Sequence, residues 1–517
     1  MLRKLLPLVV LLLPGIAQAD WHEASTEHFT VFADQRPERL REFAANLERF
    51  DKAVRRLGGW RDDPVSVPNR VTVYVVASRD AVAKLARHRF VAGFYKPRAG
   101  ATLAVVPRRS GSGVETDLDA QSILLHEYAH HLMWSISPHA VYPAWFIEGF
   151  AELFATADFK QGGAVAFGMP PQYRARGLMT GNNLPIEKML RADSLKLTPE
   201  QRDGLYGRGW LLTHYFLIAR QRNGQLAAYL AALNAGKSSL EAAQAFGDLR
   251  ALDNELERYK RGKIAGYLVA PTEATKVEVT LRKLTPGEAA TMDVRIRSKN
   301  GVNARTAPGV YADAREAAER FPDDAGAQLV LAEAAYDARD LAAAEAAADR
   351  AIAANPQASD AWLYKAMTRM ALAHKANDRS KETLSAIRKI IAQGNKLQPD
   401  DPKLLILYYR SFVDFGAAPS ENARQGLARA FDLAPHDGRL RFNAAKMFLR
   451  VGNKAEARTM LAPLAYSPHG KGLAQQAAAL IAILDKGDDK EALKAADAPE
   501  APEDEDGDGD DTKAGTN

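Results

Sequence analysis

The sequence predicts an α+β protein laid out in consecutive blocks: a small mixed sheet with a helical subdomain, a short β-rich linker, and an all-α solenoid. Three observations carry this. Strand-like alternation is interleaved with helical spacing over residues 20–110. A nearly continuous helical stretch follows through 111–263, and 264–304 returns to alternation. From 305 to 486 the chain is Ala-rich and helical, with prolines at almost regular steps. Residues 1–19 and 487–517 fall outside these blocks, the first as an export signal and the second as a disordered acidic tail.

The 517 residues are enough for roughly three domains, and the 47% apolar content supports real cores. The opening Met1-Leu-Arg-Lys-Leu-Leu6 sets a basic head on an apolar run too short to span a bilayer, and Ala17-Gln-Ala19 follows as a cleavage site. Cleavage after Ala19 would start the mature chain at Asp20 and place it in the periplasm or outside the cell; an uncleaved anchor is the alternative. No later stretch has the apolar length of a membrane span. The absence of cysteine excludes disulfides and lipid attachment at the cleavage site, so the core alone must hold the fold. The net charge of +5 hides an acidic end, since eight of the twelve residues Glu500–Asp511 are acidic. No cluster of Lys and Arg accompanies a nucleic-acid fold signature, which argues against such a partner.

Taken in order, His28–Ala33 alternates as a strand, and Leu40, Phe43, Leu47, Phe50 and Val54 share one helical face within Pro37–Leu57. Arg70–Val76 is β-branched and strand-like, Asp80–Arg87 reads as a short helix, and Ala101–Val106 as another strand. Helices are expected at Phe146–Ala157 and Gly207–Gln221, with breaks at Asn223-Gly224 and Gly247-Asp248. In the linker, Lys276–Leu281 and Met292–Arg297 alternate as two strands, with Pro286-Gly287 in the turn between them. In the last block Pro322, Pro356, Pro399, Pro435 and Pro468 are 34, 43, 36 and 33 residues apart. Ala327–Tyr336 and Leu341–Ile352 are two small-residue helices closed by Asn355-Pro356, a unit that resembles the tetratricopeptide repeat. Stacking such units buries faces that one unit cannot bury alone, and the stack offers a surface for a protein partner. An irregular helical bundle is the competing reading. In the tail, Asp504–Gly509 begins like a calcium loop but lacks the closing carboxylate, because Gly515 stands in the twelfth position.

The chemistry concentrates in His126-Glu-Tyr-Ala-His130, set in an apolar, proline-free run. A helix turns about 100° per residue, so His126 and His130 lie on one face and can close on a single metal ion. His131 is about 100° off that face, and His139 sits in a Pro-rich connection. Two histidines do not complete a catalytic zinc site. Seventeen residues separate His130 from Glu148-Gly-Phe-Ala151, and Glu152 stands one turn after Glu148.

This combination resembles the gluzincin (peptidase MA-like) zinc metallopeptidases of the thermolysin and aminopeptidase N-like clan, over roughly Trp21–Lys263. The resemblance implies a zincin subdomain with Zn2+ on His126, His130 and Glu148, Glu127 as general base, and Glu152 orienting the ring of His126. The spacer is at the short end of that family's range. Tyr206-Gly-Arg-Gly209, leading into an apolar helix, resembles the family's tyrosine segment and implies that Tyr206 supports the oxyanion. His214 and Tyr215 are second choices for that task. No Gly-x-Met-Glu-Asn precedes His126, so an endopeptidase acting on a polypeptide is expected rather than an aminopeptidase. By the same resemblance, Ala101–Val106 would be the sheet edge along which substrate adds as a strand. The rival expectation is a non-catalytic exported repeat scaffold whose metallopeptidase-like domain only binds.

Overall fold

The computed structural model describes residues 20–88, 91–108, 120–179, 184–192, 195–467 and 471–498. The export signal and the calcium-loop-like segment of the tail lie outside the described residues. Five strands and two helices open the described chain: β1 Trp21–Ser25, β2 Phe29–Asp34, α1 Pro37–Gly58, β3 Val71–Val76, α2 Arg79–Ala86, β4 Phe94–Lys96 and β5 Leu103–Pro107. The helical part comprises α3 Ala120–Ile136, α4 Ala144–Ala155, α5 Ala175–Met179, α6 Ile186–Leu190, α7 Pro199–Leu217, α8 Gln225–Asn234, α9 Ser239–Ala242 and α10 Leu249–Arg261. The almost wholly helical expectation is interrupted by β6 Asp158–Phe159 and β7 Val165–Phe167, which form a small antiparallel sheet with β8 Tyr267–Val269 of the linker. The strands are only two or three residues long, too short to leave an alternating pattern.

A ninth strand, β9 Thr280–Lys283, completes a mixed sheet in the order β4-β5-β3-β2-β1-β9, with β2, β3 and β5 parallel. The period of two divides its side chains cleanly. Phe29, Val31, Val71, Val73, Ala104 and Val106 pack toward α1 and α3. Phe32, Tyr74, Leu103 and Val105 face the other way, onto Val82 of α2 and onto Met292 and Ile296. The expected edge strand is interior: β4 covers the outer side of β5, so three-residue β4 is the edge nearest α3. The β-rich linker is also corrected. Of its first expected strand, Lys276–Leu281, only Thr280 and Leu281 are strand; they belong to β9, which joins the amino-terminal sheet antiparallel to β1. The linker's second expected strand is a helix, with α11 Pro286–Ala290 and α12 Met292–Asn300 occupying the segment. Thr285 caps α11 and Pro286 opens it, so Pro-Gly here starts a helix instead of making a turn.

The repeat block runs as α13 Ala307–Ala318, α14 Ala325–Asp337, α15 Leu341–Ala354, α16 Ser359–Lys375, α17 Lys381–Leu397, α18 Pro402–Val413, α19 Glu421–Leu433, α20 Gly438–Arg450, α21 Lys454–Ala465, α22 Lys471–Asp485 and α23 Asp489–Ala496. Each helix packs chiefly on its neighbours in sequence, as in a solenoid. Pro322, Pro356, Pro399 and Pro435 each stand three residues ahead of a helix start, where Asp324, Asp401 and Asp437 cap α14, α18 and α20. The expectation of disorder from residue 487 is overturned for α23, whose Ala492 and Ala496 are buried one turn apart in the repeat core. No helix of the described residues is long and apolar enough to cross a membrane.

The repeats fold back on the sheet. One oxygen of Asp437 caps α20 and the other accepts from the Ala99 amide at 2.9 Å. His436 Nε2 lies 2.9 Å from Thr102 Oγ1, and the Asp400 carbonyl accepts from Ser66 and Asn69. The turns before α18 and α20 therefore grip the β4–β5 loop and the segment ahead of β3.

A buried ionic network joins α1 to the β1–β2 turn and to α3. His28 Nδ1 is 2.8 Å from Glu48, Lys52 reaches Glu27 and Asp62, and Asp51 pairs with Arg55 and accepts from the Tyr128 hydroxyl. Burial disfavours a charged His28, but Asp51, Asp62 and Glu48 outweigh it and raise its pKa to about 10. An unfolded histidine titrates near ~6.5. The charged His28 therefore stabilises the fold fully below that value, and the contribution drains away as pH rises toward its folded pKa. Denaturant titrations from pH 6 to 10 should show wild-type stability falling by on the order of a few kcal/mol, and His28→Gln should flatten that slope. Equal slopes for the two proteins would contradict this account.

Candidate functional site

The site is assembled from α3, α4, α7 and the turn at Gln172–Arg174. Helix α3 runs through the apolar Ile123–Met133 stretch and is packed on both sides, which buries His126 and leaves Glu127 half-buried. Helix α4 is buried along its whole length, so Glu148 and Glu152 project from a continuously apolar rod. Helix α7 begins at a capping box made by Thr198 and Gln201, with Pro199 in its first turn. Tyr206 thus lies well inside the helix.

Glycine sets how closely these rods approach. A Cβ on Gly149 would fall 2.3 Å from the Gly209 carbonyl oxygen, and one on Gly209 would fall 2.6 Å from that of Trp145. Helices α4 and α7 therefore cross backbone to backbone, bringing Tyr206 to the side of α3 that carries the histidines. Gly149→Ala should cost about 1–3 kcal/mol through overpacking, read by chemical denaturation. Wild-type stability in that variant would refute the close-crossing argument.

His130 Nε2 lies 3.1 Å from His126 Nε2, and Glu148 Oε2 is 3.5 Å from that of His126 and 3.8 Å from that of His130. A tetrahedral zinc with ligand bonds of roughly 2.0–2.1 Å separates its ligands by about 3.3 Å. These donors accordingly suit a single ion, and their mixture of two imidazoles and one carboxylate suits zinc. Glu152 Oε1 is 3.6 Å from His126 Nδ1, on the far side of the ring from Glu148. Burial pushes the pKa of His126 down, but Glu148, Glu152 and Glu127 together overcome it and raise it to about 9. The site concentrates negative charge around the imidazoles, which favours a proton or a metal cation there. The Tyr206 ring centroid stands 6.2 Å from that of His126.

The remaining candidates lie elsewhere. His131 stacks on Tyr128, lies 2.8 Å from the Tyr95 hydroxyl and meets the ring of His436 at 4.2 Å; burial and that second ring keep it neutral. His139 packs against Phe431. His214 lies 2.8 Å from the Tyr259 hydroxyl, and burial lowers its pKa to about 4. Tyr215 donates to Glu255 of α10. Sequence reasoning missed Tyr173 and Arg174, which donate to the two oxygens of Glu152 at 2.9 and 2.8 Å. Only the Pro170-Pro171 pair ahead of them marks that turn. Among the described residues two further clusters could hold a metal, both around His28, but Lys52 and Arg55 pair with their carboxylates and they read as an ion-pair network. A cavity of ≈ 700 Å3 between α1, Gly162-Gly163 and Pro271–Val277 shares no residue with the site.

No family model matches the chain, and no curated protein matches it. Among solved structures it is similar to a thermophilic TPR protein of Thermus thermophilus, with 18% identity, 38% of this chain and 96% of that chain covered, and a TM-score of 0.31. It is also similar to YrrB, a TPR protein with an unusual peptide-binding site, with 19% identity, coverage of 35% and 90%, and a TM-score of 0.27.

Proposed function

We propose that the chain is an exported zinc-dependent endopeptidase, acting in the periplasm or outside the cell, whose repeat block binds protein. One observation carries the reading: two imidazoles and a buried carboxylate from two helices meet within 3.8 Å, beside a second glutamate in the general-base position. His126, His130 and Glu148 would hold the zinc, and Glu152 would fix the tautomer of His126. When bound, zinc supplies Lewis acidity toward a carbonyl oxygen and lowers the pKa of a water. The Glu127 carboxylate accepts the proton of the attacking water and returns it to the departing amine nitrogen, so the peptide bond is exchanged for a carboxylic acid and an amine. The Tyr206 hydroxyl donates a hydrogen bond to the oxygen that gains charge as the carbonyl carbon becomes tetrahedral. The Gly-x-Met-Glu-Asn segment with which the resembled aminopeptidases grip a free amino terminus does not precede His126, which favours internal cleavage.

A second reading is supported by the depth of the site. His126 is 5%, Glu148 1% and Tyr206 6% exposed, which suits a non-catalytic scaffold in which the metal only stabilises. Zinc content of the purified protein, measured beside cleavage of cell-envelope proteins by wild type and Glu127→Gln, separates the two. Stoichiometric zinc with cleavage that only the wild type performs supports the peptidase; zinc with identical fragment patterns leaves the scaffold.

A further inference from the structure

We propose that Arg174 is the positioning residue that ties the carboxylate behind His126 to the tyrosine beside it. The inference rests on the zinc peptidase reading and adds to it a residue that no part of the H-E-x-x-H pattern implies. Arg174 is 3% exposed, and its Nε donates to Glu152 Oε1 at 2.8 Å. That same oxygen faces His126 Nδ1 at 3.6 Å. Tyr173 holds the other oxygen at 2.9 Å, so the carboxylate is fixed in orientation from two sides. The guanidinium carbon lies 4.3 Å from the centroid of the Tyr206 ring. Its Nη1 is 3.9 Å from Asp203 on α7, one turn before Tyr206.

Two consequences follow from this single cation. Glu152 is fully buried, and its bonds from Arg174 and Tyr173 hold the carboxylate facing the His126 ring. A positive charge against the face of a phenol draws electron density from its oxygen, making the hydroxyl a better donor. Arg174 thus acts on metal affinity through Glu152 and on the chemical step through Tyr206. Lysine could supply the charge, but not the planar fork that bonds one partner while stacking on the other.

The test reads zinc affinity by competition with a chromophoric chelator and, separately, kcat and KM at saturating zinc. Arg174→Gln should weaken zinc about 10- to 100-fold and lower kcat with KM unchanged, with Arg174→Lys between it and the wild type. Tyr206→Phe should lower kcat without moving zinc affinity. Adding Arg174→Gln to Tyr206→Phe should then reduce kcat less than it does alone, because the phenol it acts on is gone. Unchanged zinc affinity in a folded Arg174→Gln protein, or kcat losses that simply multiply, would overturn the proposal while leaving the peptidase reading intact. If Arg174→Gln fails to fold, Arg174→Lys decides by the same zinc measurement. A wild type that holds no zinc overturns the parent reading and this proposal with it. If the wild type holds zinc but cuts nothing, the affinity arm alone decides.

Discussion

Glu127→Gln is expected to retain zinc and to lose about 10²- to 10⁴-fold in peptide hydrolysis, the range that general acid–base catalysis contributes. Glutamine keeps the size of the side chain and its hydrogen-bonding reach but can no longer accept a proton. The residue is half-buried on α3 immediately after His126, and its charge acts on both His126 and Tyr95. It is not among the three side chains whose donor atoms converge, so metal content should be indifferent to the change. Stopped assays on a denatured protein substrate, with zinc measured in the same samples, provide the check. A variant that cuts at the wild-type rate would remove Glu127 from the mechanism.

The second large effect is expected at Glu148. On the proposed reading glutamine there would replace a charged zinc ligand by a neutral amide, and zinc affinity should fall by more than the roughly 10- to 100-fold typical of partners one step further from the metal. The loss should also be visible as stability. A ligand present at 1,000 times its dissociation constant stabilises a fold by about 4.1 kcal/mol, so stripping zinc with a chelator should lower the wild-type Tm by several degrees. Glu148→Gln should melt alike with and without chelator. Equal chelator-induced shifts in both proteins would mean that Glu148 is not a ligand.

Much of this was legible because it is local. The His126–His130 spacing defines a helical face wherever the helix lies, and the β-branched and aromatic run Val71–Val76 has the residues that suit a buried, pleated strand. The prolines ahead of α14, α16, α18 and α20 mark helix starts for reasons internal to the chain. Met292–Asn300 shows where such reading stops. Met292, Val294, Ile296, Ser298 and Asn300 are all buried, which is a strand's period, yet the segment is a helix. Met292 and Ile296, one turn apart, face the sheet, while Val294 faces the repeats. A helix clamped from two directions imitates alternation, and only the tertiary partners reveal it. Tyr173 and Arg174 escaped notice for the same reason, since their bonds to Glu152 span more than twenty positions in the chain.

The clasp between the turn at His436-Asp437 and the loop carrying Ala99 and Thr102 has a geometric consequence. A protein cargo seated elsewhere on the solenoid would sit at a set offset from His126 and His130, as on a jig. Which bond is severed would then be chosen partly by how much slack chain separates the seat from the blade. Lengthening the tether within one cargo should shift the cut along its sequence even where the residues flanking the bond stay the same.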